Sequence, residues 1–439
     1  MGREIVVGLH FYQPPRRAFH PELSQISTDP QNKDWTSIIG NECYKPLAAE
    51  GVLEKASFDI YQTLLIQLEK LDPLTADLYK ISMATNGIGE AFIHPILPDL
   101  TNEDKNIVVS AGVKRFFDIT GTMPKYFWPP ETAIDTSTLE VLSANGYQGF
   151  ICAPEQIYQE DHQSSDNRPT LITLPSGRQI IALPFDRTIS SRLAFDPKNN
   201  ADYFTDASIK PRANNLGADQ TLIAWTDAET FGHHWHLADK FLTYLLDTSL
   251  PSVGLYPIPI NELEFKRKKM PKGQIVERSA WSCPHGNLIR WGGQCDCGEG
   301  KDTSWKQPFY DSMRFLNESI TKVVQRELGN NYGQVVSGDF FANYAFPDRV
   351  GDPYSSLVSS KISSLVARTS CATFFSHPEV SGKINLLYAY QSLLYLSESG
   401  LSKDVLKIST SFYEKLSRVK YPGSDESAFN VLNKMLQPR

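Results

Sequence analysis

Hydrophobic positions along this chain follow two different periods. Seven short apolar, β-branched or aromatic runs each end in polar or glycine-rich residues: Ile5 to His10, Ile88 to His94, Lys125 to Glu131, Gln148 to Pro154, Gln179 to Asp186, Thr221 to Asp227 and Val253 to Ile260. Runs of this length, bounded by turn residues, predict strands. Between several of them the apolar residues recur with a helical period, predicting helices over Phe58 to Leu71, Asn106 to Ile119, Ser137 to Ala144 and Leu237 to Leu246. Strands alternating with helices predict an α/β fold with a parallel sheet, either a barrel or an open doubly wound sheet. The polar residues favour the barrel, because His10, His94, Glu131, Asp186 and Asp227 all fall at the C-terminal ends of their strands. A barrel gathers its chemistry on that face.

After about Trp305 the strand signals fade. Amphipathic helical patterns take over at Gln307 to Leu328, Tyr354 to Ala367, Lys383 to Ser399, Lys403 to Val419 and Glu426 to Leu436. The expected organisation of the 439 residues is therefore an α/β domain over residues 1–305 and a helical bundle over 306–439.

Charge removes several partners from consideration. With 43 Lys and Arg against 50 Asp and Glu the formal net charge is −7, and the one basic run, Lys266-Arg-Lys-Lys269, is short enough to be a solvated loop. Nucleic acid is not an expected partner. No stretch approaches the ~20 apolar residues of a membrane span. Met1-Gly-Arg-Glu runs directly into Ile5–Leu9, too short for a signal core, so a cytoplasmic location is expected.

The most informative stretch is Trp225-Thr-Asp-Ala-Glu-Thr-Phe-Gly-His-His-Trp235, in which an apolar run delivers Asp227 and Glu229 ahead of a glycine and two histidines. Glu131 has the same setting after an aromatic strand, in Tyr126-Phe-Trp-Pro-Pro-Glu-Thr-Ala-Ile-Asp135. Two acids at two strand ends suit acid/base or nucleophilic work, and in retaining glycoside cleavage two carboxyl groups flank the scissile bond about 5–5.5 Å apart. Glu229, two residues from Asp227, is a rival acid or an orienting group. Indole rings suit sugars because a pyranose offers them an apolar C–H face. Trp35, Trp128, Trp281 and Trp291 lie beside polar motif residues and are the expected contacts, whereas Trp225, inside a strand, is expected in the core.

Together these residues resemble glycoside hydrolase family 57. The first family motif, His-Gln-Pro, is matched by His10-Phe-Tyr-Gln13-Pro14, with two residues inserted. The third is similar to Phe127–Asp135, the fourth to Thr226–His234, and the fifth to Ser279-Ala-Trp281-Ser-Cys283-Pro-His285-Gly286 with Trp291 downstream. Ser57-Phe58-Asp59, Ala91–Pro98 and Leu174–Arg178 resemble landmarks of a subgroup with Cys and His in the fifth motif. The resemblance implies an incomplete (β/α)7 barrel followed by a C-terminal α-helical domain. It implies a retaining enzyme on α-linked glucans, with Glu131 as nucleophile, Asp227 as general acid/base, and an oligo- or polysaccharide as partner. His10, Gln13, Trp35, His94, Trp128, Asp186, Glu229, His233, His234, Trp281, His285 and Trp291 are then the expected substrate-binding residues. The alternatives are a 4-α-glucanotransferase or branching-type transferase with the same site, and a catalytically silent glycan binder. A metal-dependent deacetylase using Asp227, His233 and His234 ranks third.

Three of the six cysteines crowd into Cys283, Cys295 and Cys297 around His285. Thiolates with imidazole suit tetrahedral zinc, although structural zinc sites usually show wider spacing within each pair. A structural zinc is expected in preference to an iron–sulfur cluster, and unligated cysteines beside a sugar-contacting His285 are the alternative. None of the four belongs to the carboxylate motifs, so no cofactor is expected in catalysis.

Overall fold

The computed structural model describes residues 3–29, 33–159, 167–196, 198–217, 220–265, 269–293, 295, 302–338 and 354–437. The chain folds as two compact units. The first comprises Met1–Gln13, Asp34–Glu90 and Arg115–Trp281, and the second Pro14–Lys33, Ala91–Lys114 and Ser282–Arg439. Residues 282–305, expected with the strands, thus group with the helices, as do two earlier insertions. Among the described residues no helix is long and apolar enough to cross a membrane.

Among its described residues the first unit holds ten strands: β1 (Arg3–Phe11), β2 (Ser57–Ile60), β3 (Tyr126–Phe127), β4 (Gly149–Cys152), β5 (Ile157–Gln159), β6 (Thr170–Thr173), β7 (Gln179–Pro184), β8 (Leu222–Asp227), β9 (Leu255–Pro257) and β10 (Lys272–Ile275). They form two sheets. One runs β2-β1-β8, all parallel, with β9 paired to the start of β1. The other runs β3-β4-β7-β6-β10-β5 and is mixed, because β6 pairs antiparallel with β7, and β5 antiparallel with β10. The two sheets nevertheless share one core. Along β1, Ile5, Val7, Leu9 and Phe11 pack with the helix residues Leu64, Leu65 and Leu68, while Val6 faces a cluster drawn from both sheets: Trp128, Ile151, Ile181, Leu183, Ile223 and Trp225. The period-2 alternation of a strand buried on both faces explains why these runs read as continuously apolar.

Two expected elements are corrected. Phe58 does not open a helix: Ser57–Ile60 is a fully buried strand beside β1, and the helix starts at Gln62 and runs to Leu71. Within Ile88 to His94, strand-like pairing stops early, since Gly87 bridges Phe58 and Gly89 bridges Phe127 but the next residues leave for the second unit. There Phe92 N donates to Val108 O and Ser370 N donates to His94 O.

The second unit is helical, with Lys306–Leu328, Ser355–Val366, Pro378–Glu398, Ser402–Arg418 and Ala428–Leu436 lying where the periodicity puts them. Ser402–Arg418 shows why: Ile408, Phe412 and Leu416, spaced four apart, are its buried face. In the core of this unit Lys361 is fully buried, its Nζ 2.6 Å from Asp104 Oδ1 and also bonded to Asn317 and Thr321. The lysine's charge, aided by the Asn317 amide, outweighs burial and holds the Asp104 carboxyl below its ordinary range.

Candidate active site

The strand register brings the chemistry together. β1 is paired so that His10 lies opposite Asp59 on β2 and opposite Asp227 on β8, placing three polar side chains at one level of three parallel strands. His10 Nδ1 is 2.6 Å from Asp59 Oδ2, and Asp59 is completely buried. Burial alone works against an imidazolium, but Asp59, helped by the charges of Asp227 and Glu229, raises His10 to about 9. Burial pushes Asp59 upward as well, against the pull of the His10 charge and hydrogen bond.

Beneath His10 the indoles are stacked. Its ring lies 5.0 Å from Trp128 at 26°, and Trp128 lies 5.5 Å from Trp225 at 21°. Trp281 meets Trp128 edge-on at 5.4 Å. The stack depends on Gly8, since a Cβ there would stand 2.0 Å from Trp225 Cε3. Trp225 is in the core as expected, but Trp128 is fully buried too. It supports the imidazole from below and is not a free stacking surface, which corrects its expected role. Trp281 and Trp35 remain half-exposed, and Trp35 lies edge-on to His233.

Glu131 sits in a strained turn. Its φ is 58° and that of Thr132 is 47°, two successive side-chain-bearing residues in the left-handed region. Such backbone costs about 1–3 kcal/mol per residue and persists only where the surroundings over-determine it. Here they do. Thr132 Oγ1 donates to Gln156 Oε1 (2.9 Å) and accepts from Trp281 N (2.9 Å), while Gln156 Nε2 donates to Thr132 O (2.8 Å) and Ser279 Oγ (3.0 Å). Glu131 is half-buried; burial, then the charges of Glu90 and Asp59 and last that of Glu131, push the Tyr61 hydroxyl up, and the Tyr61 ring packs edge-on against His10 at 5.7 Å.

At the end of β8 the two acids differ in setting. Asp227 is exposed, whereas Glu229 is buried and accepts a hydrogen bond from the Tyr44 hydroxyl. Gln13 in turn bonds the Tyr44 oxygen. Burial, then the charge of Asp227, pushes Glu229 up to about 7. The turn that follows requires Gly232 (φ 130°), because a Cβ there would meet Glu42 O at 2.0 Å. His233 and His234 are therefore in a turn and not a strand, with ring centroids 5.4 Å apart. His233 Nδ1 is 2.6 Å from Glu42, and burial, with the His233 charge, lowers His234.

Other expected contacts are structural. Asp186 is fully buried: it caps the helix Arg187–Phe195 through Ile189 N (2.9 Å) and accepts from Asn167 (2.9 Å) and Arg212 (2.7 Å). In the second unit His94 is buried with Nδ1 2.8 Å from Ser370 Oγ, and Trp291 is buried against Phe374. His285 lies in the same unit beside Cys283 and Cys295; Cys297 is outside the described residues. Among the described residues this trio is the one group of His, Cys, Asp and Glu side chains placed to converge on a metal.

Sequence reasoning missed Asp59, Tyr44, Tyr61, Glu90 and Gln156 as parts of this network. Glu90 is fully buried, accepts from Gln62 Nε2 (3.1 Å), and is raised by burial and then by Asp59. The available signal was an acid inside an apolar run, Ser57-Phe-Asp-Ile60 and Ile88-Gly-Glu-Ala91, where a carboxyl is buried only with a reason.

Parallel strands carrying acids, an imidazolium and indoles at their C-terminal ends define an α/β protein with a strand-end acidic site. The chain belongs to glycosyl hydrolase family 57, whose model matches residues 11–276. It is 20% identical over 293 residues to alpha-amylase 1 of Dictyoglomus thermophilum, an alignment covering 64% of this chain and 39% of that relative's length. Its fold is similar to that of an exo-type maltose-forming amylase from Pyrococcus sp. ST04, with a TM-score of 0.76 at 16% identity, covering 95% of this chain and 83% of the other. A family 57 branching enzyme from Pyrococcus horikoshii matches with a TM-score of 0.61 at 14% identity over 99% and 94%.

Proposed function

We propose that the protein is a retaining glycoside hydrolase acting on α-linked glucans. Glu131 is the nucleophile and Asp227 the general acid/base. The observation that carries this reading is the over-determined turn at Glu131: a protein that only held glycan would have no use for a carboxylate kept on left-handed backbone. Between the two acids at the end of β8, exposure favours Asp227, since Glu229 is buried and committed to Tyr44. Glu131 attacks the anomeric carbon as the glycosidic C–O bond breaks, and the leaving oxygen takes the proton from Asp227. Asp227 then accepts a proton from the incoming water, whose oxygen displaces Glu131 from the glycosyl-enzyme. His10 holds a positive charge beneath the site, and Trp281 and Trp35 offer partly exposed indole faces to sugar rings.

The two sheets are best understood as arcs of an incomplete seven-stranded barrel. Supporting this, residues 87–89 bridge β2 to β3, Asp186 N donates to Ile223 O (2.6 Å) between the end of β7 and β8, and one apolar cluster joins both sheets. A second reading, transfer of the glycosyl group to another sugar, is favoured by the likeness to a branching enzyme. It shares the covalent intermediate.

The test is product analysis after incubation with amylose, maltooligosaccharides, pullulan and glycogen, with Glu131→Gln as control. Shorter sugars released by the wild type and not by the variant support hydrolysis. Longer or branched products mark a transferase. Binding without any product, or an unimpaired Glu131→Gln, refutes the enzymatic assignment.

A further inference from the structure

The second unit contains a cluster that the carbohydrate chemistry does not use. Cys283 and Cys295, 1% and 5% exposed, both approach the ring of His285: Cys283 Sγ is 3.6 Å and Cys295 Sγ 3.2 Å from Nδ1. All three ligand atoms lie within 4.8 Å of one another. A tetrahedral zinc with bonds of about 2.3 Å to sulfur and about 2.0–2.1 Å to nitrogen sets a sulfur-to-nitrogen edge of about 3.6 Å. The observed separations fall on or just inside that edge, so an ion fits with sub-ångström adjustment.

Local sequence builds this arrangement. Gly286, at φ 67°, closes a turn in which its N–H donates to Cys283 O (2.8 Å), folding His285 back over Cys283. Gly293, at φ 81°, ends the short helix Ile289–Gly292 and redirects the chain to Cys295; a Cβ there would meet Thr303 O at 2.9 Å. Between the turns Arg290 anchors the segment, donating to Ser282 O (2.8 Å) and Phe374 O (2.9 Å) with its guanidinium 3.8 Å above the Phe374 ring. The three ligands are thus held on a fixed scaffold, which is what metal affinity requires.

We propose that Cys283, His285 and Cys295 bind one divalent ion of the zinc class, and that the ion pins the segment from Ser282 to Cys295. Two thiolates and an imidazole are soft and borderline donors that select zinc over magnesium or calcium. Two thiolates also neutralise a divalent cation, which makes their burial electrostatically reasonable.

Full-length protein purified under reducing conditions without added metal is expected to contain about one zinc per chain. Its two buried thiols should resist a thiol reagent until a chelator is added. His285→Ala, at an exposed position that leaves the core intact, should lower zinc affinity at least about tenfold, in line with the loss seen even for groups behind a metal ligand. Cys295→Ser should do the same, and cobalt(II) added to stripped wild type should give thiolate-to-metal absorption that both variants lack. The proposal is overturned if stripped protein fails to take up zinc, if zinc content is unaffected by His285→Ala and Cys295→Ser, or if mass spectrometry finds Cys283 joined to Cys295.

Discussion

Replacing Asp59 by asparagine tests the electrostatics of the site directly. The substitution keeps the size of a completely buried side chain and removes the charge 2.6 Å from His10 Nδ1. In the native protein burial pulls His10 down and the carboxylates, Asp59 first, carry it from 6.5 up to about 9. At about 1.4 kcal/mol for each tenfold, that rise is worth about 3 kcal/mol in favour of the imidazolium. Without Asp59 the burial penalty dominates, and His10 should titrate below 6.5. Because the folded-state value is raised, the associated stability is fully present below 6.5 and lost as pH rises through about 9. Wild type should therefore be less stable to urea at pH 9.5 than at pH 6, with the variant showing little change over that range. The assay is imidazole NMR through a pH titration, paired with urea unfolding at both pH values. A native His10 titrating near 6.5, or a variant still titrating near 9, refutes the reasoning.

Other expectations follow from single contacts. Gly8→Ala places a methyl 2.0 Å from Trp225, so the stack under His10 must shift; a loss of about 1–3 kcal/mol in urea unfolding and changed tryptophan fluorescence are expected, and an unaltered spectrum would count against the stack. Glu229, raised to about 7 mainly by burial, favours the folded state below 4.5 and loses that advantage as pH rises through 7. Glu229→Gln should then be more stable than wild type by up to about 3 kcal/mol at pH 8 but not at pH 4, as measured by urea unfolding. Lys361→Met leaves Asp104 buried without its cation and should cost about 3–5 kcal/mol, whereas the pair Lys361→Met with Asp104→Leu should lose less; equal losses would show that the ion pair is not the source. Asp227→Ala should keep more activity on aryl glycosides with good leaving groups than on natural glucans, with azide restoring the second step; equal loss on both would favour Glu229 as the acid.

Local pattern by itself determined a good deal. The helices of the second unit, such as Lys306–Leu328 and Ser402–Arg418, are legible because each buries a stripe whose period shows in the chain. The strands ending at His10 and Asp227 are legible for a similar reason, as apolar runs stopped by polar residues. What the residues next to those runs do was decided by tertiary structure. Trp128 and Trp281 are both indoles beside motif residues, yet one is sealed between His10 and Trp225 and the other is half-exposed. Asp186 and Asp227 both end strands, yet Asp186 is buried and spends its oxygens on a helix N-terminus, Asn167 and Arg212 while Asp227 is exposed. Ser57–Ile60 looked helical because its apolar residues continue into the helix Gln62–Leu71, and only pairing with β1 makes it a strand. The same pairing sets Asp59 against His10 from 49 positions away, and β8 brings Asp227 to the same level from the far side of the chain. Register between distant strands is a property of the packed sheet, and burial and charge at the site both depend on it.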